Sequence, residues 1–348
     1  MKRDLKTLRE IHKEPEVWQT CLHVLDGMNL ESLVRGNHPR TKEWVFVGCG
    51  TSYYLAQAAA ASFTTLLHVA ARAVPASEIL LEPNLVFPAG ATSSFPVLIS
   101  SSGHTSEVRQ VADSLRQQGA AFLAVTCDGR ELIQKTDRIL KLDVMEESTV
   151  MTSSFTSMLL ALQYVAASLA EDEEFIAALH KLPDHLSRLL DLYSPKVEQF
   201  AEHSFQDFAF PGQGALFPIA CEAALKVMES SSSYAQYFHT LEFRDGPKSI
   251  AGPETLVAGL ISESGIEFEA PVVMEMKELG SPILVVANSA SAELRKAADL
   301  LIELELPVPE LARIIVYVVW GQLLGTYRSL EKGLDPDSPK NLSRVVTL

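Results

Sequence analysis

The chain has 348 residues, 47% of them apolar, and a formal charge of -15 at pH 7. That apolar content excludes a disordered chain, and the length gives room for a sizeable core and two ordinary domains. The acidic balance, with no run of Lys and Arg, excludes a basic face for nucleic acid, so any phosphate site must work locally through backbone amides and a few placed side chains.

The four cysteines, Cys21, Cys49, Cys127 and Cys221, stand far apart with no Cys-x-x-Cys or Cys/His metal spacing. This predicts reduced thiols, a cytoplasmic protein and no structural metal site. The amino end, with Lys2, Arg3, Asp4, Lys6 and Arg9, lacks the apolar core of a signal peptide. The most apolar stretch, residues 155–169, is too short to span a bilayer comfortably and carries Gln163. It is expected to be a buried core or subunit-packing helix, with no membrane partner.

Residues 1–35 are expected to form an amino-terminal helical arm, interrupted at Pro15, where Glu14-Pro-Glu16 suits the first turn of a second helix. From Trp44 the pattern changes. Residues 44–47 are a short apolar strand, Gly48-Cys-Gly-Thr-Ser52 a tight turn, and residues 53–67 an Ala-rich helix. Strands near residues 71–74, 95–99, 121–126 and 138–142 follow, with a closing helix over 152–170. Continuous apolar strands alternating with helices predict a parallel sheet covered on both faces, an α/β architecture.

The stretch of greatest chemical interest is Ser100-Ser-Ser-Gly-His-Thr105. A strand ends just before it, and residues 105–117 place Val108, Val111, Ala112 and Leu115 on one helix face. The turn therefore joins a strand's carboxyl end to a helix amino end, where unpaired amides and a partial positive charge attract anions. One hydroxyl suffices for a helix cap. Four within six residues favour a phosphate site over a cap, and both this loop and the Gly48 turn lie on the edge where open α/β sheets take their ligands.

After a polar helical connector through residues 183–197 the pattern restarts. Phe208-Ala-Phe210 and Gly212-Gln-Gly214 match Phe46-Val47 and Gly48-Cys-Gly50, Leu260-Ile-Ser262 matches Leu98-Ile-Ser100, and Val285-Val-Ala-Asn288 matches Leu123-Ala-Val-Thr126. The offsets, about 162 to 164 residues, are those of a duplicated domain. Residues 36–185 and 186–348 are the expected copies. The second has Glu263-Ser-Gly-Ile-Glu267 where the first has Ser101-Ser-Gly-His-Thr105, which restricts the phosphate loop to the first.

In the second copy Glu222, Lys226 and Glu229 stand at i, i+4 and i+7, on one face of a helix over 217–230. Such a row is commonly a solvated Glu-to-Lys pair. Here the helix opens from a Gly-x-Gly turn at the ligand edge, and a carboxylate beside a lysine near a bound sugar phosphate could serve as general base on a carbon-bound proton. Gly48-Cys-Gly50 lacks the third glycine of a dinucleotide fingerprint and no Gly-x4-Gly-Lys-Ser/Thr occurs, so neither NAD nor ATP is expected.

Taken together, Arg9 to Pro15, Cys49-Gly-Thr-Ser52, Ser100 to Thr105, Gly212-Gln-Gly214, Glu222-Ala-Ala-Leu-Lys226 with Glu229, Asp245-Gly-Pro247, and Pro339 to Leu342 through Val346-Thr347 resemble in order the sugar isomerase (SIS) domain family. The likeness is to the isomerase half of glucosamine-fructose-6-phosphate aminotransferase, over nearly the whole chain. The resemblance implies two tandem SIS domains, each a flavodoxin-like three-layer parallel sheet. It implies a sugar 6-phosphate held by Ser52, Ser100, Ser101, Ser102 and Thr105, with further substrate contacts at Gly50, Thr51, Thr149 and Arg344. It makes Glu229 the base for proton transfer between C1 and C2 and Lys226 an active-site lysine, with no metal or redox cofactor. It further implies a homodimer whose sites share the loop Glu242-Phe-Arg-Asp-Gly-Pro247.

Three departures bear on function. No amidotransferase domain precedes the SIS domains, so this chain alone is not expected to use glutamine. Asp245 stands where the family has a ring-opening histidine, and Arg344 where the aminotransferase has a lysine. By its Glu242-Phe-Arg-Asp-Gly-Pro-Lys-Ser249 motif the chain is similar to the tagatose-6-phosphate ketose/aldose isomerase group, which includes amino-sugar-phosphate deaminases. The expected activity is C1–C2 proton transfer with ammonia release from an amino sugar 6-phosphate. The other readings are a fructosamine-6-phosphate deglycase and a non-catalytic sugar-phosphate sensor. His104 is read evenly as a phosphate contact or a cap, and His239 as structural.

Overall fold

In a computed structural model, residues 5–34 and 43–343 are described. They divide into two compact units, residues 16–147 with 153–180, and residues 5–15, 148–152 and 181–342. In chain order the elements are α1 (Lys6–Asp26), β1 (Glu43–Gly48), α2 (Thr51–Leu67), β2 (Ala71–Pro75), α3 (Ala76–Leu81), α4 (Pro83–Val86), β3 (Ser94–Ile99), α5 (Ser106–Gln117), β4 (Leu123–Thr126), β5 (Ile139–Lys141), α6 (Ser153–Ala170) and α7 (Glu173–Leu179). There follow α8 (Leu182–Ala201), β6 (Asp207–Gly212), α9 (Phe217–Ser231), β7 (Tyr234–His239), β8 (Thr255–Ile261), α10 (Ile266–Glu278), β9 (Ile283–Ala287), α11 (Ala292–Ala297), β10 (Leu300–Glu303) and α12 (Glu310–Glu331).

Each unit holds one five-stranded sheet, ordered β2-β1-β3-β4-β5 in the first and β10-β9-β8-β6-β7 in the second. Every pairing is parallel. Numbered within its own unit, the second order reads the same as the first, so the duplication legible in the sequence is a duplication of topology. Successive strand residues face opposite sides. In β1, Val45 and Val47 join Leu98, Val111 and Leu115 on one face. Trp44 packs on Phe63 and Phe95 on the other, with ring centroids 4.8 and 4.9 Å apart. In the second unit Val257, Val273, Met276 and Val285 form the corresponding layer. Both sheets are therefore covered on both faces, as continuous apolar strands require.

One expectation fails at the amino end. Helix α1 runs unbroken through Pro15. Proline removes one helical donor and crowds the preceding turn. Ile11, Trp18, Leu22 and Leu25, each at most 2% exposed, bury the stripe on both sides of it, and that packing outweighs the local loss. The N-terminus of α1 is held by Asp337, whose carboxylate accepts from the backbone N–H of Lys6 and of Thr7 at 2.8 Å each and from Thr7 Oγ1 at 2.7 Å.

Among the described residues one helix, Ser153–Ala170, is long and apolar enough to cross a membrane by composition, and 83% of it is buried within the protein. Its interior side chains, including Gln163, lie in the core as the sequence suggests. The four cysteines are free thiols.

Candidate functional site

In the first unit the switch point of the sheet lies between β1 and β3, which pair side by side. The loops leaving these two strands carry Gly50, Thr51 and Ser52 after β1, and Ser100, Ser101, Ser102 and Thr105 after β3. The structure thus brings all seven sequence-predicted residues to one sheet edge. The turn after β1 is tight because Gly48 packs against the chain: a Cβ there would lie 2.3 Å from the Ser52 carbonyl oxygen. Gly50 adopts φ 53°, which favours glycine, and helix α2 begins without a side-chain cap.

The second loop is ordered from within. Ser100 Oγ accepts from the Gly103 N–H at 3.1 Å and shares a hydrogen with Thr105 Oγ1 at 3.1 Å. The Ser101 carbonyl accepts from the N–H groups of Cys127 and Asp128 at 3.0 and 2.9 Å. Thr105 stands at the N-cap of α5 yet makes no side-chain cap bond. The Thr105 hydroxyl is therefore not spent on capping. His104 pairs through Nδ1 with Glu131 Oε1 at 3.2 Å, and Arg109 reaches the other oxygen of Glu131 at 2.5 Å. The ring of His104 thus joins a His104–Glu131–Arg109 cluster beside the loop.

In the second unit the row on α9 is not a solvated pair. Glu222 is fully buried, Lys226 is 1% exposed and Glu229 is 21% exposed by side chain, with Lys226 Nζ 3.2 Å from Glu222 Oε1 and 2.5 Å from Glu229 Oε2. Burial by itself pushes the lysine pKa down, and the two carboxylates outweigh it and hold the ammonium above its ordinary value. Two acids share one buried cation, and only Glu229 reaches solvent.

Glu229 lies twelve residues beyond the start of α9, about 18 Å at the helical rise. It thus stands at the helix's far end from the Gly212-Gln-Gly214 turn and close in sequence to the start of β7. Helix α9 does open from that turn, and its Glu–Lys row runs from Glu222 to near its C-terminal end. A crossover helix runs antiparallel to its strands, so residues near its C-terminus come to the sheet's other edge.

What fixes this helix is α12, which the sequence reading does not anticipate. A Cβ on Gly321 would lie 2.5 Å from Ala223 Cβ, and one on Gly325 would lie 2.7 Å from the Lys226 carbonyl oxygen. The two glycines let α12 press against the α9 backbone at the turn that bears the lysine. Their i, i+4 spacing was the available signal. Helix α9 ends where Ser232 turns to φ 49°, and Lys332 Nζ binds the Ser231 carbonyl at 2.7 Å.

The other predicted residues lie on other elements. Asp245 is exposed after a 3-10 turn over Glu242–Arg244, its N–H bonded to the Glu242 carbonyl at 3.0 Å. No hydrogen bond joins it to the Lys226 cluster among the described residues. Thr149 Oγ1 reaches the Asp337 carbonyl at 3.5 Å. Arg344, with Val346 and Thr347, lies outside the described residues. The His239 ring stacks on Phe217 with centroids 3.7 Å apart and planes at 11°, consistent with a packing role. No group of three or more His, Cys, Asp or Glu suited to a metal ion occurs among the described residues.

Residues 40–168 match the family model of the SIS domain. The same topology is repeated in the second unit, so the fold matches two tandem SIS domains. It is 27% identical to the glutamine–fructose-6-phosphate aminotransferase (isomerizing) of Methanothermobacter thermautotrophicus over 354 residues, covering 98% of this chain and spanning 57% of that relative. The solved glucosamine-6-phosphate deaminase of Thermotoga maritima superposes with a TM-score of 0.82 at 27% identity, covering 99% of this chain and 100% of that one. The tagatose-6-phosphate ketose/aldose isomerase of Escherichia coli shares the fold, with a TM-score of 0.83 at 20% identity over 96% and 95% of the two chains.

Proposed function

We propose that this chain is a phosphosugar isomerase that deaminates an amino sugar 6-phosphate. The observation that carries the proposal is the buried Glu222–Lys226–Glu229 row, in which only Glu229 meets solvent. An aldose-to-ketose shift needs one base that removes the C2 proton and returns it to C1. Glu229 takes that role, with Lys226 and Glu222 as positioning residues that fix its carboxylate. On an open-chain 2-amino sugar the first transfer gives an enolamine and the second a ketimine. Water then adds to the ketimine and ammonia leaves, giving the ketose phosphate.

The phosphate is held by Ser52, Ser100, Ser101, Ser102 and Thr105, with Gly50 and Thr51 lining the first loop. Two helices without side-chain caps and a cluster of hydroxyls support this on a strongly acidic chain. Thr149 and Arg344 are further substrate contacts. Asp245, on an exposed loop, supplies acid or base to ring opening in a partner subunit's site, which makes the working unit a homodimer. Four free thiols accord with a cytoplasmic setting. The end-to-end match to the Thermotoga maritima deaminase supports deamination over the other readings.

The experiment is ammonia release from glucosamine 6-phosphate and galactosamine 6-phosphate, with assay of the ketose phosphate. Ammonia from one epimer is expected. Silence with both would overturn the deaminase reading.

A further inference from the structure

The loop after β8 is the counterpart of the phosphate loop after β3. Leu260-Ile-Ser262 stands where Leu98-Ile-Ser100 does, and the two turns close in the same way. The Gly265 N–H donates to Ser262 Oγ at 2.9 Å, as the Gly103 N–H donates to Ser100 Oγ at 3.1 Å. Beyond that bond they part. Ser100 Oγ turns to the Thr105 hydroxyl, and its N–H to the Val125 carbonyl at 3.0 Å. Ser262 gives both hydrogens to one carboxylate: its N–H donates to Glu269 Oε2 at 3.1 Å and its hydroxyl to Glu269 Oε1.

Glu269 is 1% exposed and lies in the first turn of the thirteen-residue α10, where negative charge is favoured. It presses directly on the turn, since a Cβ on Gly265 would lie 2.1 Å from Glu269 Oε1. Glu263 of the loop is also engaged within the chain. The Glu263 carboxylate pairs with buried Arg313 and accepts from Asn288 Nδ2 at 2.8 Å, and the Glu263 N–H meets Glu310. The Ser262 amide and hydroxyl, which would otherwise face a bound anion, are thus taken by a carboxylate of the unit itself.

We infer that Glu269 is a built-in anion, occupying in the second unit the place where the matching loop of the first presents hydroxyls to a phosphate. The inference rests on the phosphate reading of the Ser100 loop. It follows that the duplicated chain binds one phosphate and not two, and that shortening Glu269 uncovers a second anion site.

The test compares the full chain with Glu269→Ala, in inorganic phosphate and in chloride at equal ionic strength, by thermal unfolding and by equilibrium dialysis. The wild-type response to phosphate reports the first unit's loop, and the excess in the variant reports the second, so a failure of the two readings is distinguishable. Glu269→Ala is expected to be less stable in chloride, to recover preferentially in phosphate, and to bind one additional phosphate per chain. Glu269→Gln, which keeps the loop filled, is expected to bind none beyond wild type. Glu269→Ser serves where the alanine variant does not fold. Equal responses to phosphate and chloride, no additional phosphate bound, or no folded protein from either shortened variant in phosphate would overturn the inference.

Discussion

The two units share a strand order and differ in where they keep their charge. The first places its polar groups on the loops, with four hydroxyls after β3, while its helix α2 carries no charged side chain along seventeen residues. The second reverses this: its loop is occupied by Glu269, while α9, which follows β6 as α2 follows β1, buries a carboxylate and a lysine and pairs them with the half-buried Glu229. On the proposed function, a duplicated scaffold divides the work of holding an anion and of moving a proton. The division is physically sensible, because a phosphate beside the α9 row would add negative charge to a cluster that already sums to one.

The sharpest break in this comparison is at Lys226. Lys226→Met leaves the fully buried Glu222 without its cation, and a buried ion that loses its partner costs about 3–5 kcal/mol. Chemical denaturation should show that loss. No charged side chain on α2 can be broken this way. Next is the packing that holds α9 in place: Gly325→Ala forces a Cβ against the Lys226 carbonyl, and overpacking of this kind costs about 1–3 kcal/mol. A lowered Tm with reduced kcat is expected, since the same turn orients Glu229.

On the loop side, Thr105→Val removes a hydroxyl from the proposed phosphate cradle. A hydrogen bond to a charged group is worth about 1.5–3 kcal/mol, so steady-state kinetics should show KM raised about tenfold or more with kcat little changed. At the far end of the chain, Asp337→Ala strips the acceptor from the first turn of α1 and should cost about 1 kcal/mol, as loss of an N-cap does.

The smallest effect expected is the pH dependence of Glu269. Burial raises its carboxyl pKa, with Glu310 acting the same way and the Ser262 hydroxyl and amide acting against them. A carboxyl whose folded pKa is raised adds stability below its unfolded pKa, and that stability is lost as pH rises through the folded value. Unfolding midpoints followed from the ordinary carboxylate range toward neutrality should decline with pH by more in wild type than in Glu269→Gln.

The architecture was legible because parallel strands buried on both faces read as unbroken apolar runs, and Trp44 to Val47 and Val285 to Ala287 are such runs. The Ser100 loop was legible from composition alone. What the sequence hid was burial: Glu222 and Lys226 look like an exposed pair because helical spacing gives a face and not what covers it. The covering helix α12 reads as apolar nearly all round, and its Gly321 and Gly325 gain meaning only when a neighbour's backbone lies against them. Glu269 was hidden likewise, as one acid among several until Ser262 was seen to give it both hydrogens. Pro15 was misread because its local cost is visible in sequence and the packing of Trp18 and Leu22 is not.

The central claim is that Glu229 moves a proton between adjacent carbons of a phosphorylated sugar. Its most direct test is deuterium incorporation at C1 or C2 of the sugar phosphate in D2O, comparing wild type with Glu229→Gln. General bases contribute about 10²–10⁴-fold to rate. The account predicts exchange catalysed by the wild type and reduced by that factor in a variant that stays folded and still binds the sugar phosphate. Undiminished exchange in Glu229→Gln would contradict it.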